Sequence, residues 1–355
     1  MRGALTLVVL VITAAAIAGL LVPAPATAQD SITVTSWGGA YSESQRKAYY
    51  EPYLQKTKIR VLEDEWGGDM AQIRAQVQTG KYKWHVVDVE TDHVLAGCDE
   101  GLLERLDYKA IGPMDQFLEG TTHECGVATI SWSTIYAYNA DLYPAGAARP
   151  STAADFFDLK KFPGKRGMWK SPKHNLEFAL IADGVPVKDV YEVLKTADGL
   201  ARAFRKLDTI KSQLVWWEAG AQPPQMLSDK VVVMTTAWNG RIYDAVVKHK
   251  KNFVIVWDGQ SLDYDWFVIP KGHPQKDLAV KFIAFASTPE VQANQSKYIS
   301  YGPTTKKALT LISPAILKDL PTAPANMKNH FRVNAKWWAD RREELTEKFN
   351  AWLAK

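Results

Sequence analysis

The chain has 355 residues, with 43 basic and 39 acidic side chains interspersed along it and a net charge of +4. No basic block is present to hold nucleic acid or an anionic membrane surface, and the length suits two domains with separate cores. Thirteen Trp and 14 Tyr supply ring faces that attract cations and pack on apolar ligand carbons.

Residues 1–28 read as a leader. Arg2 precedes an apolar run from Ala4 to Val22, Pro23 and Pro25 break it, and Ala26-Thr27-Ala28 is a small-x-small cleavage signal before Gln29. The alternative is a retained membrane anchor, because the run is nearly long enough to span a bilayer. The prolines and the cleavage site favour a signal peptide and an exported chain. No later segment is apolar for long enough to span.

Strands and helices then alternate, the pattern of a mostly parallel sheet in an α/β protein. Ser31–Ser36 alternates as a strand and ends in Trp37-Gly38-Gly39-Ala40-Tyr41, before a helix from Ser42 to Tyr53. Rings at the carboxyl end of a strand stand where open α/β sheets bind ligands. The dinucleotide and Walker glycine patterns are absent. Ile59–Glu63 is a second strand, and Met70–Gly80 a helix. Trp84–Val89 is a buried strand with Glu90 and Asp92 at its end, and His93–Glu100 a short helix. These two carboxylates suit either an ammonium ligand or helix capping. Cys98 and Cys125 pair most simply as a disulfide in an oxidising compartment, worth about 3 kcal/mol in the chain-entropy model. A metal site is less favoured, since His123 has no companion at ligand spacing.

Ala128–Asn139 is a strand long enough to cross between domains. Gly167–Trp169 and Gln213–Trp217 are strands, with helices over Leu176–Asp183, Val187–Leu194 and Leu200–Ile210. The apolar run Val231–Met234 leads as a strand into Trp238-Asn239-Gly240-Arg241, which puts an indole, an amide, a glycine and a guanidinium side by side. Gly240 reads as a turn that lets a ligand approach. Phe253–Trp257 and Asp265–Pro270 are strands, the second beginning within the acidic, aromatic run Asp263–Trp266. Gln275–Ala286 and a segment capped by Thr288-Pro289-Glu290 are helices. Tyr301-Gly302-Pro303-Thr304 is a turn bearing a ring, and Trp337–Leu353 is a closing amphipathic helix.

Trp37 and Tyr41, Trp238-Asn239-Gly240, Asp265–Pro270 and Tyr301–Thr304 together resemble the spermidine/putrescine-type periplasmic solute-binding proteins of ABC importers, over nearly the whole chain. The resemblance implies an α/β fold of two lobes with a ligand between them. One lobe would be residues 29–138 plus 267–320, and the other 139–266 plus 321–355. It assigns Trp37, Tyr41, Trp238 and Tyr301 to aromatic walls and Asp265 to an amine. A periplasmic monomer is expected, with an inner-membrane permease as partner and no cofactor or metal.

The chain departs from that pattern at Arg241, where a small residue is expected. It departs again at His174 and Asn175, in place of an acidic pair, and at Glu90 and Asp92, in place of a hydroxyl and a ring. Acids on one wall and a cation on the other suit a zwitterionic ω-amino acid such as 4-aminobutyrate. The alternative is that Arg241 neutralises a cleft acid and the ligand is a diamine or polyamine. The competing class is a secreted hydrolase using Asp263 and Asp265, or Glu90 and Asp92, as acid and base. Neither a nucleophile-elbow motif nor a metalloprotease motif accompanies them.

Overall fold

The computed structural model describes residues 31–355, so the leader and its cleavage site lie outside the described residues. The strands are β1 (Ser31–Ser36), β2 (Arg60–Glu65), β3 (Val86–Glu90), β4 (Thr122–His123), β5 (Gly126–Asn139), β6 (Arg166–Trp169), β7 (Leu214–Trp217), β8 (Met234–Trp238), β9 (Phe253–Val268), β10 (Gly302–Pro303) and β11 (His330–Arg332). Their order is β2-β1-β3-β9-β5-β8-β6-β7, with β4 and β10 on β5 and β11 on β9.

Two parallel groups, β2-β1-β3 and β8-β6-β7, are joined by the long antiparallel pair β5 and β9. Each long strand pairs with one group and contributes side chains to both cores. The Asp265–Val268 end of β9 pairs with β3, while β5 pairs with β8 through Thr134–Tyr138. The molecule is therefore two α/β lobes sharing two strands. Each has its own core, one around Ile32, Tyr49, Val86, Phe267 and Phe282, the other around Phe156, Phe178, Leu207, Trp338 and Phe349.

Local chemistry explains the elements near the cleft. β1 ends at Gly38, whose φ of 69° is easy only for glycine, and a helical run from Gly39 to Thr57 begins there. Its middle turn, Arg46–Tyr50, is widened to a π-turn. Asp69 caps the helix Met70–Thr79 by accepting from the Ala71 N–H at 2.9 Å. Cys98 and Cys125 are bonded, with Cα atoms 5.8 Å apart. Among the described residues, no helix is long and apolar enough to cross a membrane.

Two local readings need correction. The strand before Trp238 is Met234–Trp238, not Val231–Met234, because Val231 is exposed at a turn. Asn239 then starts a helix, Asn239–Val247, that sequence pattern did not show. The two strands expected over Phe253–Trp257 and Asp265–Pro270 are one 16-residue strand. The intervening residues keep extended pairing to β5, interrupted only by register shifts.

Candidate functional site

The carboxyl ends of β1, β3, β6, β7 and β8 converge between the lobes, and each delivers a side chain to the cleft: Trp37, Glu90, Trp169, Trp217 and Trp238. Trp238 is the hub. Its ring meets Trp217 edge-on at 5.4 Å between centroids, Trp169 at 5.9 Å, and Trp37 and Trp132 each at 6.1 Å. Gly220 makes this possible, because a Cβ there would come within 2.4 Å of the Trp238 ring and 2.9 Å of Arg241 Nε.

A tight cavity of about 10 Å³ lies inside this cage, lined by Trp37, Tyr41, Glu90, Trp132, Trp238, Arg241, Asp265 and Tyr301. Seven of the residues expected from sequence are therefore brought together. Asp92 is not among them. It is buried outside the cavity, its Oδ1 accepting from Lys173 Nζ at 2.7 Å and its Oδ2 from Arg342 Nε at 2.8 Å. Burial would raise its pKa, but Arg342 and Lys173 outweigh burial and hold it well below the usual carboxylate range. Trp132 was missed, since its place in β5 looks like any inward ring of a buried strand.

Asp265 is the cavity's acid without a cation among the described residues. It sits on β9 between Glu90 and Ile130 and is 5% exposed. Asp88 lies beside it, holding hydrogen bonds from Tyr41 Oη at 2.8 Å and Gln45 Nε2 at 2.6 Å on its Oδ2. Oδ1 of each carboxyl is buried with no donor in full hydrogen-bonding geometry among the described residues, although the Trp132 indole faces Asp265 and the Trp37 indole faces Asp88 closely enough to favour their ionised forms in part. Burial, then repulsion from Asp88 and Glu90, pushes the Asp265 carboxyl well up; burial pushes Asp88 to about 7. Two close carboxyls that cannot both ionise cheaply hold a proton or take a cation.

Arg241 is the cavity's cation. Its Nη1 donates to the Gly38 carbonyl at 2.7 Å and its Nη2 to the Trp37 carbonyl at 3.1 Å, both in the opposite lobe. The guanidinium lies 5.5 Å from the Trp238 ring centre and 5.7 Å from that of Tyr41. Its Nε is buried without an acceptor among the described residues, as are the indole N–H groups of Trp37, Trp132 and Trp238. Among the described residues the site thus presents a guanidinium N–H without an acceptor and an acid without a cation within one small aromatic enclosure.

The other residues of the Trp238–Arg241 stretch are structural. Asn239 accepts from the Ser133 N–H at 2.9 Å and donates to the Ser300 carbonyl at 2.7 Å. Gly240 is not a turn for ligand approach. It lies in the first turn of the helix, and a Cβ there would strike the Tyr301 ring at 2.6 Å. That ring packs edge-on against Tyr41, 5.3 Å between centroids.

The acid pairs of the hydrolase alternative are not free. Lys173 Nζ donates to Glu90 Oε2 at 2.8 Å, Asp92 Oδ1 at 2.7 Å and Asp263 Oδ2 at 3.0 Å. Burial pulls its pKa down, but Asp263, Asp92 and Glu90 more than offset this and hold it charged. His93 accepts from the Glu90 N–H at 3.2 Å and stays neutral, burial lowering its pKa to about 4.

Two lobes sharing two strands, with an enclosed aromatic and charged cavity between them, define a receptor that encloses a small solute. Residues 48–325 match the model of the bacterial extracellular solute-binding proteins, and the chain belongs to that family. It is 47% identical over 338 residues, 95% of each chain, to the gamma-aminobutyric acid-binding protein of Pseudomonas aeruginosa. Among solved structures it is similar to a GABA receptor (34% identity, TM-score 0.80, 92% of this chain and 98% of that one). It is also similar to AgtB of A. tumefaciens bound to agropinic acid (31% identity, TM-score 0.83, 92% and 99%).

Proposed function

We propose that this chain is the periplasmic receptor of an ABC importer, that it captures an ω-amino acid of the 4-aminobutyrate type, and that it hands this solute to an inner-membrane permease. The observation that carries the reading is the pairing, in one cavity, of the Asp265 carboxyl without a cation and Arg241 Nε without an acceptor among the described residues. An ammonium at Asp265 takes the place of the proton shared with Asp88. A carboxylate at the other end accepts from Arg241 Nε, while the methylenes lie against rings. The ring faces add attraction for the ammonium. Relatives that bind gamma-aminobutyric acid support the same reading.

Both lobes contribute to the enclosure, so capture requires them to close. Arg241 reaching Gly38, and Lys173 reaching Glu90, are contacts of the closed arrangement. Export through the leader and release at a permease complete the role. The test is titration calorimetry of the natural protein with 4-aminobutyrate, putrescine, spermidine, butylamine and butyrate. The expected order places 4-aminobutyrate first, with both single-ended analogues far weaker. Tighter binding of spermidine than of 4-aminobutyrate contradicts the zwitterion reading.

A further inference from the structure

Lys173 is a fully buried lysine that binds no part of the cavity's aromatic cage, yet it engages three carboxylates, two of them from the opposite lobe. It precedes the helix Asn175–Ala182 in one lobe, and two of its partners, Glu90 and Asp92, sit where β3 of the other lobe ends. The third, Asp263, lies on β9 and also accepts from Thr91 Oγ1 at 2.6 Å. Arg342, from the C-terminal helix Ala335–Leu353, closes the cluster on Asp92. Glu90 is shared: it lines the ligand cavity, and its Oε2 is held by Lys173.

A diamine carries two ammonium groups and needs an acid for each. The cavity offers Asp265 to one of them. Glu90 is the other carboxylate in its lining, and Lys173 has already placed an ammonium there. The cavity's other charged group is the Arg241 guanidinium, whose Nε has no acceptor among the described residues; it repels a second ammonium and suits a carboxylate. We propose that Lys173 is the specificity-determining residue of this site: its side chain supplies the second ammonium from the protein itself, so the cavity accepts a solute with one ammonium and one anionic end and rejects diamines and polyamines. The proposal rests on the reading of the cavity as an amine site.

The test compares putrescine and 4-aminobutyrate affinities, by calorimetry, for the natural protein, Lys173→Met, and Lys173→Met combined with Asp263→Asn. The double variant removes one acid together with the base, which limits the charge left uncompensated and keeps a folded protein to measure. In the natural protein putrescine should bind at least about tenfold more weakly than 4-aminobutyrate, and the variants should shift that ratio toward putrescine by about tenfold or more. A merely structural role for Lys173 weakens both ligands together and leaves the ratio in place; that result, with 4-aminobutyrate still bound by the natural protein, overturns the proposal while sparing the amine site. Equal affinity of the natural protein for the two ligands also overturns it. Failure of the natural protein to bind any amine sinks the underlying reading instead.

Discussion

Arg241 and Gly38 meet across the cleft: Arg241 Nη1, on the helix after β8, donates at 2.7 Å to the carbonyl of Gly38, the residue that starts the helix after β1. Gly38 can occupy its left-handed conformation without a Cβ, which would come within 2.5 Å of the Glu65 carboxylate. The guanidinium therefore has two tasks. Its Nη atoms join the lobes, and its Nε is left for the solute.

Replacing Arg241 with Ser removes both. Binding of 4-aminobutyrate should weaken by about 2–5 kcal/mol, the usual cost of truncating one partner of a buried charged pair. Diamine binding, which has no carboxylate to lose, should change much less. Calorimetry with both ligands measures the difference, and equal losses would assign Arg241 to lobe closure alone.

The Asp88–Asp265 pair makes both binding and stability depend on pH. An ammonium needs the pair ionised, so affinity for 4-aminobutyrate should rise from about pH 5 to about pH 8 as the shared proton is lost. Stability of the ligand-free protein runs the other way at this site. Asp88 titrates in the folded state at about 7, above its unfolded value, so its contribution is present below the unfolded pKa and is lost as pH rises toward 7. Asp88→Asn should accordingly gain stability relative to the natural protein across that window. Thermal unfolding of both proteins at a series of pH values checks the sign.

Gly220 tests the cage without altering any charge. Gly220→Ala places a methyl against the Trp238 ring and Arg241 Nε, so one or both must move. Ligand binding should fall sharply while circular dichroism remains native, and indole fluorescence should report the displaced ring. Trp238→Ala is a poorer probe, because four neighbouring indoles lose their partner and about 3–5 kcal/mol of stability should go with it.

Much of this architecture was legible in the residues. Glycine turns after strands, the long Ala128–Asn139 run and the Trp238–Arg241 stretch gave the alternation of strands and helices and most of the cavity lining. The remainder was hidden for physical reasons. Trp132 alternates with its neighbours as core strand residues do, so its neighbours in the sequence do not mark it as a wall. Lys173 stands in a polar loop, where a lysine normally faces water; only the folded chain brings Glu90, Asp92 and Asp263 to it. That same encounter explains Asp92, whose charge looked available for a ligand and is consumed by Lys173 and Arg342. Gly240 and Asn239 are read correctly only when Tyr301 and Ser300, some sixty residues later, are seen against them.

Asp265 bears the central claim, and Asp265→Asn probes it with almost no change of shape. Calorimetry of 4-aminobutyrate against this variant and the natural protein is the most direct measurement. Clear binding by the natural protein is expected, with a loss of about 2–5 kcal/mol in the variant and native thermal stability or better, because a buried carboxyl lacking a cation has become a neutral amide. Undiminished affinity in Asp265→Asn would mean that Asp265 does not hold the ammonium.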